Sequence, residues 1–237
     1  MNFYRLFPAL TLSLILTACG GGGGGGGGGG STATVASTST FQIKTAYVND
    51  FTTASSVPFT ASGTTSGTPF TGSGTVTTGA PSTTTFEGQS ALQTTSVITG
   101  SLLVKGTTAP LSSTSTSYYD SNYAFLGSNG TDYVVVNSAF NLPSTAKVGD
   151  TGVVFTANRY SNSSKSLLIG TKTVSFAIEA DTASTALLKV VTVDKDTSNA
   201  TTYSSTATIR ITPSGGSTRV NEQGIDYTNH TTLTITY

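Results

Sequence analysis

Thr173-Val174-Ser175-Phe176-Ala177-Ile178 decides the fold class. Val174, Phe176 and Ile178 alternate with Thr173, Ser175 and Ala177, the period of two that sets apolar side chains on one face of a half-buried strand. Outward from it, Ile209 and Ile211 flank Arg210 within Thr208–Thr212, and Leu233, Ile235 and Tyr237 alternate with threonines at the C-terminus. Toward the N-terminus, Phe41, Ile43, Thr45 and Tyr47 alternate with Gln42, Lys44 and Ala46, which predicts a further half-buried strand. Between Ala183 and Val193 a helical face can be drawn through Ala186, Leu187 and Val190, but the adjoining Val190, Val191 and Val193 favour a strand.

Turn chemistry separates these runs. Asn129-Gly130 lies between Phe125 and Tyr133, Gly149-Asp150 precedes Val153, and Asp194–Asn199 and Pro213–Gly216 punctuate the C-terminal part. Short strands spaced by turns at roughly 8 to 14 residues predict an all-β domain, an antiparallel meander forming a barrel-like or sandwich structure. The expected domain runs over residues 41–237. Its first part is richer in Ser, Thr and Gly and its second in apolar strands, so two meanders, about 41–140 and 141–237, are expected to share one core, with separate domains as the alternative. Lys172, Lys189 and Arg210, each within an apolar strand, would guard sheet edges against pairing with other chains.

Only 9% of the 237 residues are charged, while Ser and Thr make up about a third and the chain carries 10 Tyr and 11 Phe. A sheet with a hydroxyl-rich outer face has this composition. The 11 basic and 11 acidic side chains balance, and the cations are spread along the chain. A duplex nucleic-acid partner is therefore not expected, since neutralising phosphates takes a clustered basic surface.

The N-terminus carries a targeting signal. Met1–Arg5 is short and weakly basic, and Leu6–Leu16 is an apolar run too short to cross a bilayer core of about 30 Å, which takes roughly 20 helical residues. Leu16-Thr17-Ala18-Cys19 follows, resembling the lipobox of Gram-negative bacterial lipoproteins. The resemblance implies a signal peptide over 1–18, cleavage after Ala18, thioether lipidation of Cys19 and acylation of the new amino terminus with a chain such as palmitate. Two or three chains anchor firmly where one anchors only marginally, each buried methylene contributing about 0.8 kcal/mol. By analogy with the Gram-negative sorting rule, Gly20 in place of Asp after the cysteine points to the outer membrane, on either its periplasmic or its surface face. Gly20–Gly30 is an unbroken glycine run, followed by a Ser/Thr/Ala-rich stretch, so residues 19–40 read as a flexible tether spanning roughly 25 Å. A phosphate-binding loop would need a preceding strand, a following helix and a Lys-Ser/Thr pair, which are missing.

Cys19 is the single cysteine and His230 the single histidine, so a nitrogen- or sulfur-rich zinc site is excluded, and no cofactor is expected. A Ser-His-Asp arrangement would have to use His230 with an acid such as Asp226, yet Asn229-His230-Thr231 reads as an exposed turn and has no nucleophile elbow beside it. Asp194, Asp196 and Ser198 imitate the start of a calcium loop, but Asn199 and Ser205 stand where glycine and glutamate are required, and a hairpin turn fits better. Glu87, Glu179 and Asp181 are the least implausible carboxylates for glycoside hydrolysis. Tyr118, Tyr119 and Tyr123, around Asp120 and Asn122, have the composition of a loop contacting glycan or protein, and equally that of tyrosines packed at a strand end.

The sequence thus implies a non-enzymatic lipoprotein held on a membrane by its lipid anchor, a structural or interaction module with an envelope protein or glycan partner. The alternatives are a lipocalin-like carrier of a small apolar ligand, which needs an unfilled interior of several hundred cubic ångströms, and a surface hydrolase.

Overall fold

The computed structural model describes residues 36–237. The signal, Cys19 and the glycine run lie outside the described residues. One helix, α1 (Ile43–Thr52), precedes β1 (Ser55–Thr65), β2 (Thr68–Thr78), β3 (Ser82–Phe86), β4 (Gln89–Val104), β5 (Thr107–Tyr119), β6 (Phe125–Asn129) and β7 (Tyr133–Val136). After a long connection come β8 (Thr151–Tyr160), β9 (Leu168–Ala180), β10 (Ala186–Lys195), β11 (Thr201–Ile211), β12 (Ser217–Asp226) and β13 (Thr231–Thr236).

From β4 to β13 each strand pairs antiparallel with the next, β13 returns to β1, β1 pairs with β2, and β2 pairs with β4. The result is a closed barrel of 12 strands. β3 stays outside the ring. The 16-residue β4 makes this possible, because Ser96–Val104 face β2 while Gln89–Gln93 face β3. Gly79, Ala80 and Pro81 interrupt the run from β2 to β3, and proline, lacking an N–H, suits the break.

Register explains the interior. Val190 lies opposite Phe176 and Ala207, Ala207 opposite Glu222, Glu222 opposite Ile235, Ile235 opposite Ala61, Ala61 opposite Gly72, and Gly72 opposite Leu102. Residues directly opposite share a face, so this row runs around the inside wall. On the β8–β11 side it belongs to a cluster containing Phe155, Val174, Phe176, Ile178, Leu188, Val190 and Ile209; across the barrel Phe59, Phe70, Val76, Ile98, Leu102 and Ile235 form a second cluster. Glycines in the wall make room for rings. A Cβ on Gly74 would sit 2.8 Å from Cζ of Phe59, and one on Gly63 would sit 2.7 Å from Cζ of Phe70. A third cluster lies on the outer wall, where Phe86 stacks on Tyr118 at 4.3 Å between centroids and packs beside Tyr133.

Closure corrects two sequence expectations. Phe41–Tyr47 is not a strand. Phe41 alone bridges Ala146, its N–H donating to the Ala146 carbonyl oxygen at 2.8 Å, and α1 follows, burying Ile43, Ala46 and Tyr47 at i, i+3 and i+4. A run in which Phe41, Ile43 and Tyr47 alternate satisfies both periods, and with the ring closed there is no free edge of the barrel for it to pair with. Lys172, Lys189 and Arg210 are likewise not edge guards, because a closed ring removes the edges. Lys172 points into the barrel and is 5% exposed; Lys189 and Arg210 pair on the outer wall with Glu179 at 3.5 Å and Asp181 at 2.7 Å.

The meander gives the barrel two unlike ends. One carries the hairpin turns β1–β2, β4–β5, β6–β7, β8–β9, β10–β11 and β12–β13. At the other, α1 enters and packs on the β11–β12 turn, where Asn49 Nδ2 donates to the Gly215 carbonyl oxygen at 3.1 Å. These are called the hairpin end and the helix end.

Candidate functional site

At the hairpin end a cleft of about 340 Å³ opens among Asp132, Arg159, Asp194, Tyr203, Asp226 and Asn229. Strand parity puts the charges there. Lys172 continues the inward series of Val174, Phe176 and Ile178 on β9, and Asp194 that of Leu188, Val190 and Thr192 on β10; register sets the two directly opposite. Arg159 is the next inward residue after Ala157 on β8. Asp132 lies in the β6–β7 turn and Asp226 at the end of β12.

Lys172, Asp194, Arg159 and Asp132 form a connected network, and Asp226 pairs separately with Asn229. Lys172 Nζ lies 2.8 Å from Asp194 Oδ1, and Arg159 Nε lies 3.4 Å from Asp194 Oδ2. Arg159 also donates from Nε to Asp132 Oδ2 at 2.9 Å, and from Nη2 to the same oxygen. Asp226 accepts from the backbone N–H of Asn229 at 3.0 Å and from its Nδ2 at 2.6 Å. Burial, with Glu222, Asp194 and Asp226 adding to it, pushes the Tyr203 hydroxyl far above its ordinary range, so it stays a neutral donor. Fixed donors, fixed acceptors and a neutral hydroxyl around an open mouth make a site for a polar ligand or a polar surface.

Of the residues singled out from the sequence, Asp194 and Asp226 line this cleft and the tyrosines and the other acids lie elsewhere. Tyr119 is 3% exposed inside the barrel, edge-on to Phe125, whereas Tyr118 faces outward onto Phe86. Consecutive residues of a strand point to opposite faces, so Tyr118, Tyr119 and Tyr123 do not form one aromatic surface. Burial raises the Tyr119 hydroxyl above its usual range. Glu87, in the β3–β4 turn, accepts from Lys165 and from the Tyr133 hydroxyl, at 2.7 Å from the latter, and these bonds hold its carboxyl below the usual range. Glu179 pairs with Lys189 and Asp181 with Arg210, so each of these three acids is held by its own cation. Arg210 and Thr185 hold the Asp181 carboxyl low.

His230 is exposed in the β12–β13 turn, and both carboxylate oxygens of Asp226 are taken by Asn229. Asp194 and Asp196 diverge. Asp194 points inward to Lys172, while Asp196 Oδ1 caps the β10–β11 turn, accepting from the N–H groups of Ser198 at 2.8 Å and Ala200 at 3.0 Å. Among the described residues no group of three or more His, Cys, Asp or Glu side chains could hold a metal ion.

Arg159 and Lys172 were missed as site residues, and Asp194 was weighed only as a calcium ligand, although the signal was present. Each charge sits on the apolar parity of its own strand, which marks a buried, paired group.

No family model matches the sequence, and no curated protein matches it. Among solved structures, a DUF1329 family protein from Desulfovibrio piger aligns over 81% of this chain and 88% of its own, at 9% identity and a TM-score of 0.32. Similarity at that level carries no functional argument.

Proposed function

We propose that this is a lipoprotein of the Gram-negative outer membrane, lipidated at Cys19, whose barrel is a non-enzymatic binding module that engages an envelope protein or glycan through the hairpin-end cleft. The cleft carries the reading. It lies opposite the end at which the described chain enters, and its charges are already paired and oriented, so a ligand would find them pre-organised. The acids considered for hydrolysis are each engaged by a separate cation, which favours binding over catalysis.

Two measurements test this. A palmitate analogue should label the wild-type chain and not the Cys19→Ser variant. A photo-crosslinking residue placed in living cells at Thr228, on the cleft rim, should capture a discrete envelope component that the same residue at Gln223, on the outer wall, does not. Equal labelling with and without Cys19 defeats the anchor; no capture, or identical capture at both positions, defeats the binding surface.

The apolar-carrier reading is supported by the closed barrel itself and weakened by its contents. The enclosed apolar space among Tyr47, Leu142, Val154, Phe176, Leu188 and Val190 is about 10 Å³, too small for a ligand while α1 is in place.

A further inference from the structure

The helix end is filled by a segment with little helical tendency of its own. α1 has ten residues, no side-chain hydrogen bond at its N-cap, no acid in its first turn and no base in its last. A helix this short and uncapped is marginal in water, so its order depends on docking. Docking is made by one face. Ile43, Ala46 and Tyr47 are 0 to 2% exposed, and Tyr47 lies among the inward-facing Phe176, Leu188 and Val190. About one further turn along the same face is Asp50, so an apolar stretch ends in a carboxylate about 10 Å from where it began.

That carboxylate meets a buried cation. Arg219 Nε donates to Asp50 Oδ1 at 3.2 Å and to Oδ2 at 3.1 Å, and Nη2 donates to the Asp50 carbonyl oxygen at 3.1 Å. The side chains of Arg219 and Asp50 are 11% and 7% exposed. Arg219 also sits over the Tyr237 ring at 5.7 Å. A cleft of about 350 Å³, lined by Asn49, Asp50, Val57, Arg219 and Tyr237, leads to the pair from solvent. Glu222 is the other acid near Arg219, and burial holds much of it neutral at pH 7, leaving Asp50 as the main counter-charge.

We propose that α1 occupies the place of a ligand: the helix-end interior binds a fatty acid, whose chain would lie where Ile43, Ala46 and Tyr47 pack and whose carboxylate would take the position of Asp50 on Arg219. Apolar lining, one buried arginine and a route to solvent are the chemistry that an aliphatic carboxylate requires. The space is closed while α1 is docked, so binding proceeds through the population in which the helix has left, and the observed affinity is reduced by that fraction. The proposal extends the binding-module reading to the opposite mouth. Because the Thr228 crosslink reports only the hairpin end, the two can fail separately.

The test is titration of the full chain with cis-parinaric acid and with its methyl ester, read by fluorescence. Asp50→Asn keeps the shape of the helix and weakens the latch, and should tighten binding of the acid about tenfold over wild type. Arg219→Met should abolish the preference for acid over ester. Amide exchange on the wild-type chain, which needs no variant, should be faster in residues 43–52 than in β9 and β10, and faster still with the acid bound. The proposal is overturned if neither wild type nor Asp50→Asn shows saturable binding, if acid and ester bind alike, or if the acid leaves exchange in α1 unchanged or slows it.

Discussion

Lys172 on β9 and Asp194 on β10 are paired directly across the sheet inside the barrel, 5% and 3% exposed, with Nζ and Oδ1 2.8 Å apart. Charges this deep are tolerated because each answers the other.

Removing Lys172 leaves Asp194 only the longer contact to Arg159, at 3.4 Å. Lys172→Met should lower the unfolding free energy by about 3–5 kcal/mol, while Lys172→Met combined with Asp194→Leu should recover most of it, since Arg159 keeps Asp132. Urea denaturation of both variants provides the measurement. A double variant as weak as the single one would show that the pair is not what the single change disrupts.

Core position and surface position should separate cleanly. Leu188, 1% exposed between Phe176 and Val190, should cost about 2–5 kcal/mol when changed to Ala. Leu103, 47% exposed, should cost less than about 0.5 kcal/mol. Midpoints of chemical unfolding decide; equal losses at the two sites would contradict the assignment of the inward face.

The barrel wall at Gly74 is closed by the ring of Phe59. A Cβ there would also come within 2.2 Å of the Thr99 carbonyl oxygen, so Gly74→Val should destabilise by at least about 1–3 kcal/mol through overpacking. Phe59→Ala should cost about 3–5 kcal/mol by leaving a void. If circular dichroism melts place Gly74→Val at the wild-type midpoint, the close approach is not there.

Glu222 gives the barrel a pH dependence of identifiable sign. Burial raises its carboxyl to about 7, with Arg219 opposing and Asp50 adding to the rise. The unfolded carboxyl titrates near 4.3, so between these values the folded state holds a proton that the unfolded state has lost. Stability is therefore fully present below about pH 4 and falls as pH rises toward 7, by a total on the order of 3 kcal/mol. Glu87 and Asp181, held low by their partners, act oppositely and only as pH falls through the acid range. Unfolding free energies from pH 5 to 7.5 should slope downward in wild type and be flattened by Glu222→Gln; an unchanged slope in that variant would assign it to another group.

Several elements were legible in the residues alone. Val174, Phe176 and Ile178 do alternate on β9, Ala186–Val193 is a strand as its valines indicated, and Asn129-Gly130 and Pro213–Gly216 make turns where expected. Period two and turn chemistry are local properties, set by backbone pleat and by which residues tolerate tight φ/ψ values, so a sequence carries them without reference to the rest of the fold. The pairing of Glu87 with Lys165 and Tyr133, 78 and 46 residues away, had no local trace.

What the sequence determined by itself is an antiparallel all-β domain with strands, turns and a core face. The tertiary structure decided the rest: that the strands close into a ring when β2 meets β4, that Phe41–Tyr47 turns from an alternating run into a bridge and a helix, and that Asp194 faces inward between Lys172 and Arg159 while Asp50 pairs with Arg219. The division has a physical cause. Alternation tells which side chains share a face, but only ring closure, a matter of long-range register, makes that face an interior and obliges every charge on it to find a partner.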